Sequence, residues 1–182
     1  MGHTPFKSAL LGFFFTAVAG TLLHFAWDVS GRLSLLAAFV PINESIWEHL
    51  KLLYWPTILY TCMEFFRSGF DPHLLWARCC GLVCGLLATV ILYYTYTGVI
   101  GRGFLPVDIA LFYFSALLTY GLSYALCTRF PDPERWEVLF FSGLILLTGI
   151  AMFFWTWNPP HIQLFRDPAT SGFGLIAPQP RR

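Results

Sequence analysis

The sequence predicts an all-α integral membrane protein, a bundle of five transmembrane helices with a short interfacial segment and an ordered C-terminal tail. Of its 182 residues, 57% are hydrophobic and only 12% are charged, whereas soluble domains carry about 25% charged residues. The apolar residues are grouped into long runs, and about 20 apolar residues suffice for a helix to cross the hydrocarbon core. Because backbone polar groups in lipid have to be satisfied within a segment, these runs are expected to be helices.

The first two predicted spans are joined by a turn and a short apolar segment. The first span covers residues 9–27. It contains an Ala-Val-Ala stretch typical of a signal cleavage site, but the apolar run continues beyond it, so we expect a retained helix. Residues 33–40 are apolar but too few to cross, which predicts an interfacial or re-entrant segment. The second span covers residues 44–66, where Pro56 predicts a kink.

The rest of the chain is predicted to form three further spans and a tail. The spans cover residues 76–98, 106–128 and 138–157, and the loops between them are rich in glycine, proline and charged residues. Residues 1–157 are therefore expected to form one transmembrane domain. The tail, residues 158–182, is expected to pack at the membrane face that carries most of the polar residues.

The topology of five spans gathers the polar residues that interrupt apolar runs at one membrane face. The end of the first span, the start of the second, the end of the third, the start of the fourth and the tail all share that face. The residues expected there are His24, Asp28, Asn43, Glu44, Glu48, His49, Lys51, Asp108, His161 and Asp167. The opposite face receives charges that are typical of solvated flanks, including Arg67, Asp71 and Arg78. Outside the tail, the distribution of Lys and Arg predicts a cytoplasmic N-terminus for this multi-pass protein of the cell or inner membrane.

Ionisable side chains are most crowded between Asn43 and Lys51. On a helix with 100° per residue, Glu44, Glu48 and Lys51 share one stripe, and Trp47 lies beside it. Two carboxylates one turn apart repel each other unless a cation or a shared proton lies between them. Lys51 can supply that cation. A divalent metal such as zinc is the other candidate, with further ligands from His24, Asp108 or His161.

A purely structural interpretation of the same stretch remains open. Ser45 and Glu48 have the spacing of a capping box, in which the serine caps the helix and the glutamate bonds back to the serine amide. Acidic residues are also favoured at a helix N-terminus, which explains Asp108 as well. The pair Glu48 and Lys51 can be a simple intrahelical ion pair, and His24 can be a hydrogen-bonded structural residue.

Several function classes lack support in the sequence. The zinc-protease motif His-Glu-x-x-His, the nucleophile motif Gly-x-Ser-x-Gly and a phosphate-binding loop are all absent from the sequence. The five cysteines show no metal-binding spacing and are interpreted as buried apolar residues. A net charge of +1 gives no reason to expect a nucleic-acid partner.

Two motifs resemble the signatures of a small, uncharacterised family of polytopic membrane proteins. The first is PxNESxWEHxK at residues 41–51, and the second is PPHxxxFxDP at residues 159–168. The resemblance extends over nearly the whole chain. It implies membership of that family and a tail that belongs to the folded unit, and it carries no established activity with it.

Three functional hypotheses follow, and all place the chain in a lipid bilayer. The first is a membrane-embedded, metal-assisted hydrolase that acts on a lipid or lipid-linked substrate. The second is a protein that binds or transports a small solute, an ion or a lipid head group, and the third is a structural membrane subunit. The predicted catalytic residues are Glu48, Glu44 and Asp108. The predicted binding residues are Asn43, Lys51, Trp47 and Asp167, and the predicted metal ligands are His24, His49 and His161.

Overall fold

A computed structural model describes residues 5–175 and shows an all-helical chain. Over these residues it has five long helices and no strand beyond one isolated bridge. The all-α prediction is confirmed. The helices are α1 (Pro5–Val29), α2 (Ile46–Arg67), α3 (Pro72–Ile100), α4 (Leu105–Arg129) and α5 (Arg135–Trp157), and two single 3-10 turns lie at Ser34–Leu36 and Gln163–Phe165.

Four of the five helices, α1, α3, α4 and α5, are long and apolar enough to cross a membrane. This agrees with a multi-pass membrane protein. Helix α2 is the exception by composition, because it buries Glu48, Lys51 and Glu64 along its length. Its side chains nevertheless contact α1, α3 and α5, so α2 lies inside the bundle. That α2 also spans the bilayer stays a prediction.

Small residues allow the helices to pack closely. A Cβ atom added at Gly20 of α1 would lie 2.6 Å from the carbonyl oxygen of Leu52 in α2, and one added at Gly85 of α3 would lie 2.9 Å from that of Ser115 in α4. Such close backbone approach is typical of helix pairs in membranes. The α1–α2 pair matters for the site, because it brings the end of α1 beside the start of α2.

The segment between α1 and α2 has one buried and one exposed side. Ala37 and Val40 pack with Trp27 at the end of α1, whereas Leu35 is 78% exposed and Phe39 is exposed as well. A short segment with an outward apolar side is suited to the interface between water and lipid. It leads directly into the loop that precedes α2.

The described part of the tail, residues 158–175, folds back on α2. Phe165 is buried, and its ring lies 4.7 Å from that of Trp47. The side-chain amide of Asn43 donates a hydrogen bond of 3.0 Å to the carbonyl of Gly174. The tail therefore contacts the same stretch in which the ionisable residues are crowded. Residues 176–182 of the predicted tail lie outside the described range.

Candidate metal centre

Three side chains from two helices and one loop converge at the α1–α2 face. His24 lies near the end of α1, Glu44 lies in the loop before α2, and His49 lies in the first turns of α2. One potential ligand atom from each lies within 4.8 Å of the other two. His49 Nε2 is 3.4 Å from a carboxylate oxygen of Glu44, and the rings of His24 and His49 are 5.3 Å apart.

The start of α2 explains where these residues lie. Ser45 is the N-cap, and its hydroxyl accepts a hydrogen bond of 3.4 Å from the amide of Glu48. The side-chain oxygen of Asn43 accepts one of 2.9 Å from the amide of Ser45. Because α2 begins only at Ile46, Glu44 belongs to the loop and not to the helical stripe of Glu48.

The hydrogen bonding of His49 leaves one ring nitrogen facing the cluster. Its Nδ1 lies 2.9 Å from the backbone carbonyl of Ser45. A carbonyl can only accept, so Nδ1 carries the proton, and in the neutral ring Nε2 presents a lone pair towards Glu44. A backbone carbonyl that fixes the non-ligating nitrogen of a histidine is typical of metal-binding sites.

His24 supplies a buried nitrogen that is not hydrogen-bonded. Its Nδ1 is inaccessible to solvent and has no partner among residues 5–175. An unsatisfied buried polar atom costs about 1–3 kcal/mol. The indole nitrogens of Trp47 and Trp76 share this property, but an indole N–H is only a donor and cannot bind a cation. Of these three atoms, only His24 Nδ1 can serve as a ligand.

The cluster is exposed on one side. The Glu44 side chain is 60% exposed and that of His49 is 28% exposed. His24 is half-buried, and its neighbour Phe25 is exposed on the outer surface of α1. The site therefore lies at the surface of the bundle, with the exposed side chain of Glu44 on one side and the apolar surface of α1 beside it.

Glu48 and Lys51 are turned away from the exposed side of the cluster. Both are almost fully buried, and Lys51 Nζ lies 2.6 Å from a carboxylate oxygen of Glu48. The same oxygen accepts a hydrogen bond of 3.0 Å from the amide of Ile42. The Glu48 carboxylate therefore accepts from the Ile42 amide and not from the Ser45 amide. Of the two hydrogen bonds of the predicted capping box, only the one accepted by the Ser45 hydroxyl is formed. Neither the predicted catalytic group of Glu48 nor the predicted binding group of Lys51 is free to meet a substrate.

Three other residues predicted to bind a ligand have structural contacts. Trp47 packs between the rings of Trp155 and Phe165. Asp167 is buried and accepts hydrogen bonds from the amide of Ala169 and the hydroxyl of Thr170 within its own turn. Asn43 joins the loop to the tail, as described above.

The structure does not bring Asp108 and His161 into the cluster. The carboxylate of Asp108 accepts a hydrogen bond from the hydroxyl of Tyr96 at the corner between α3 and α4. His161 is exposed and stacks on Phe173 at 4.7 Å. The candidate metal ligands are therefore His24 and His49, as predicted, together with Glu44, which was predicted chiefly as a catalytic group.

Comparison with known proteins places the chain in a family. A family described as being of unknown function (DUF6512) matches residues 3–175. The chain belongs to that family. The predicted membership of an uncharacterised family is thus confirmed. No curated protein and no solved structure matches the chain significantly. Any activity of this DUF6512 member has to be argued from the geometry of its own site.

A second buried ionic cluster, which is not among the predictions from the sequence, lies near the other end of α2. Arg78 was expected to be a solvated residue at the flank of a span, but it is only 2% exposed. Its guanidinium donates to the carboxylate of Glu64 at 2.8 and 3.0 Å, to Ser123 at 2.9 Å and to Ser8 at 2.8 Å. It also lies 4.7 Å from the centre of the Tyr120 ring. The sequence did contain a signal for this pair, because Glu64 and Arg78 are opposite charges that lie inside two consecutive apolar runs.

Proposed function

We propose that this integral membrane protein binds a divalent metal ion such as zinc through His24, Glu44 and His49 and uses it to hydrolyse a lipid or lipid-linked substrate. Within the described residues, His24 has a buried Nδ1 without a hydrogen-bond partner. The observation that carries the proposal is that potential ligand atoms, one each from His24, His49 and Glu44, lie within 4.8 Å of one another. A shared cation satisfies all three atoms at once.

The ligand types support a catalytic rather than a structural metal. Structural zinc sites use four protein ligands, whereas catalytic sites use three and leave the fourth position to water, and two histidines with one glutamate are a known catalytic set. Zinc lowers the pKa of its bound water to about 7, which supplies hydroxide at neutral pH. The exposure of Glu44 provides access for that water.

The position of the cluster supports a substrate that arrives from the bilayer. Phe25, whose ring packs against that of His24, is exposed on α1, and Leu35 is exposed in the segment before α2. A lipid that lies against these residues would present its head group at the depth of the cluster. With the predicted cytoplasmic N-terminus, the site would face away from the cytoplasm.

Transport of a small solute or ion is the second candidate. It is favoured by the two buried ion pairs of α2, Glu48–Lys51 and Glu64–Arg78, because ionisable residues inside membrane segments often mark a pathway for protons or ions.

The test measures metal content and turnover on the same samples. Detergent-purified protein, incubated with zinc and then freed of excess ion, is expected to hold about one zinc per chain by elemental mass spectrometry. His49→Ala and Glu44→Gln should lose it, while His161→Ala, which changes an exposed histidine outside the cluster, should retain it. A parent protein that stays metal-free after incubation with zinc, manganese and iron would overturn the proposal.

The turnover arm uses the zinc-loaded protein in vesicles that contain a fluorogenic phospholipid. We expect release of the fluorophore by the parent and by His161→Ala, and none by Glu44→Gln. Stoichiometric zinc without hydrolysis, combined with solute or proton flux across the vesicles, would favour the transport candidate instead.

A further inference from the structure

Glu44 is the most exposed of the three proposed ligands, so its position depends on the loop that carries it. Its side chain is 60% exposed, and a carboxylate oxygen lies 3.4 Å from His49 Nε2. An exposed carboxylate on a free loop would sample many orientations, and the cost of fixing it in one of them would lower the metal affinity of the site. The contacts of loop residues 41–45 therefore determine how well Glu44 is aimed at the histidines.

The buried ion pair Glu48–Lys51 holds this loop through a hydrogen bond to its backbone. The carboxylate of Glu48 accepts the hydrogen bond of the Ile42 amide, two residues before Glu44. Lys51 then holds Glu48 in place at 2.6 Å. The path from Lys51 to Glu44 thus consists of one ion pair, one hydrogen bond and two residues of backbone.

Lys51 in turn joins three parts of the chain. Its ammonium group has three N–H donors. One goes to Glu48, one to the carbonyl of Ala37 at 2.9 Å, and one to the hydroxyl of Thr156 in α5 at 2.8 Å. The segment before α2, α2 itself and α5 are therefore fixed to one another through a single buried charge.

Resting on the metal site proposed above, we infer that Glu48 and Lys51 are positioning residues: their buried ion pair holds the Ile42 amide and thereby aims Glu44 at the metal. The pair touches neither the metal nor the substrate. Groups of this kind, one shell beyond the ligands, commonly change metal affinity by about 10–100-fold when they are removed.

A first experiment replaces the pair by neutral residues of similar size, Glu48→Gln with Lys51→Met, because removal of one partner alone would leave a buried charge. We expect zinc affinity to fall by about 10–100-fold and the visible spectrum of bound cobalt(II), used as a zinc substitute, to change. The matched control is Glu64→Gln with Arg78→Met, which neutralises the other buried pair far from the loop and should leave both readouts close to those of the parent.

A second pair of variants tests the hydrogen bond between the Ile42 amide and Glu48 without changing either buried charge. Ile42→Pro deletes the amide donor and leaves both charges in place, whereas Ile42→Ala retains the donor and shortens the side chain. We expect Ile42→Pro to bind zinc about 10–100-fold more weakly than Ile42→Ala. Equal zinc affinities for these two variants and an unchanged cobalt spectrum in the neutral pair would overturn the inference.

Hydrogen exchange of the metal-free protein separates this inference from the proposed function. The peptide that covers residues 41–45 should exchange faster in Ile42→Pro and in the Glu48→Gln/Lys51→Met variant than in their controls. If the parent binds no metal, the proposed function is refuted, and faster exchange in the variants still supports the role of the ion pair in holding loop residues 41–45. If the parent binds zinc and exchange is the same in all variants, that role is refuted while the metal site stands.

Discussion

The two buried ion pairs of α2 differ in what they connect. The Glu64–Arg78 pair joins helices only, because its other partners, Ser8 and Ser123, lie on α1 and α4. The Glu48–Lys51 pair instead connects helices to irregular backbone, at the amide of Ile42 and the carbonyl of Ala37. About 20 Å of helix separates Lys51 from Glu64. One pair stabilises the bundle, and the other shapes a loop.

The comparison shows that a buried charge does not by itself mark a functional site. Both pairs are enclosed, and both satisfy their charges inside the bundle. What distinguishes the loop end is His24 Nδ1, a buried nitrogen with metal-binding capacity that lacks a partner in the described chain. The two ends of α2 should therefore respond in opposite ways when their polar groups are removed.

The largest effect is expected at the helix-only pair. Arg78→Ala leaves Glu64 as an uncompensated buried charge, which should lower the free energy of unfolding by about 3–5 kcal/mol. Denaturant unfolding in detergent measures the change. The matched control is Arg67→Ala, since Arg67 is exposed near the end of α2 and should change stability little. Equal stability of the two variants would show that the buried pair is not needed for the bundle.

A smaller effect of opposite sign is expected at the metal site. His24→Phe removes a buried nitrogen without a partner and should raise the free energy of unfolding of the metal-free protein by about 1 kcal/mol, while zinc binding is lost. His73→Phe is the matched control, because both ring nitrogens of His73 have acceptors, Asp132 at 2.9 Å and the Leu126 carbonyl at 3.3 Å. That control should be destabilised. If His24→Phe is destabilised as much as His73→Phe, His24 is a structural histidine.

An effect of the same size as that of His24→Phe, but destabilising, is expected where the tail meets the loop. Asn43→Ala removes the bonds to the Ser45 amide and the Gly174 carbonyl and should cost about 1 kcal/mol of stability. Hydrogen exchange should accelerate in the peptides that cover residues 43–45 and 163–174. Asn158→Ala, at an exposed asparagine, is the control. Unchanged exchange in Asn43→Ala would show that the tail is held by the aromatic contacts of Phe165 alone.

The sequence was sufficient to predict the helices because apolar runs and membrane thickness leave few alternatives. The predicted spans were shorter than the helices at several ends, since hydropathy does not register caps. Helix α3 begins at Pro72 and not at residue 76, because the Asp71 side chain accepts from the amide of His73 and Pro72 suits the first turn. The sequence contains these capping residues, but apolar runs alone do not locate the ends of the helices.

The metal site stays a prediction, and the sequence anticipated only part of the arrangement of its candidate residues. The topology of five spans predicted that His24, Glu44 and His49 share one membrane face, and the structure brings these three side chains together. The predicted helical stripe began two residues too early and paired Glu44 with Glu48, whereas α2 begins only after its N-cap Ser45 and Glu44 lies in the loop before it. Arg78 was missed because its partner Glu64 lies on another helix, and such pairing depends on tertiary contacts that periodicity does not reveal.

The polar character of α2 has a consequence for the biosynthesis of the protein. Charged residues in a helix oppose its insertion into a bilayer, and α2 carries Glu48, Lys51 and Glu64. If α2 spans the bilayer as predicted, it depends on other segments to enter it. Arg78 follows Glu64 by only 14 residues, so that end can be neutralised as soon as α3 leaves the ribosome. Thr156, the last partner of Lys51, is made 105 residues later. We therefore expect the loop that carries Glu44 to reach its final form only after α5 has inserted.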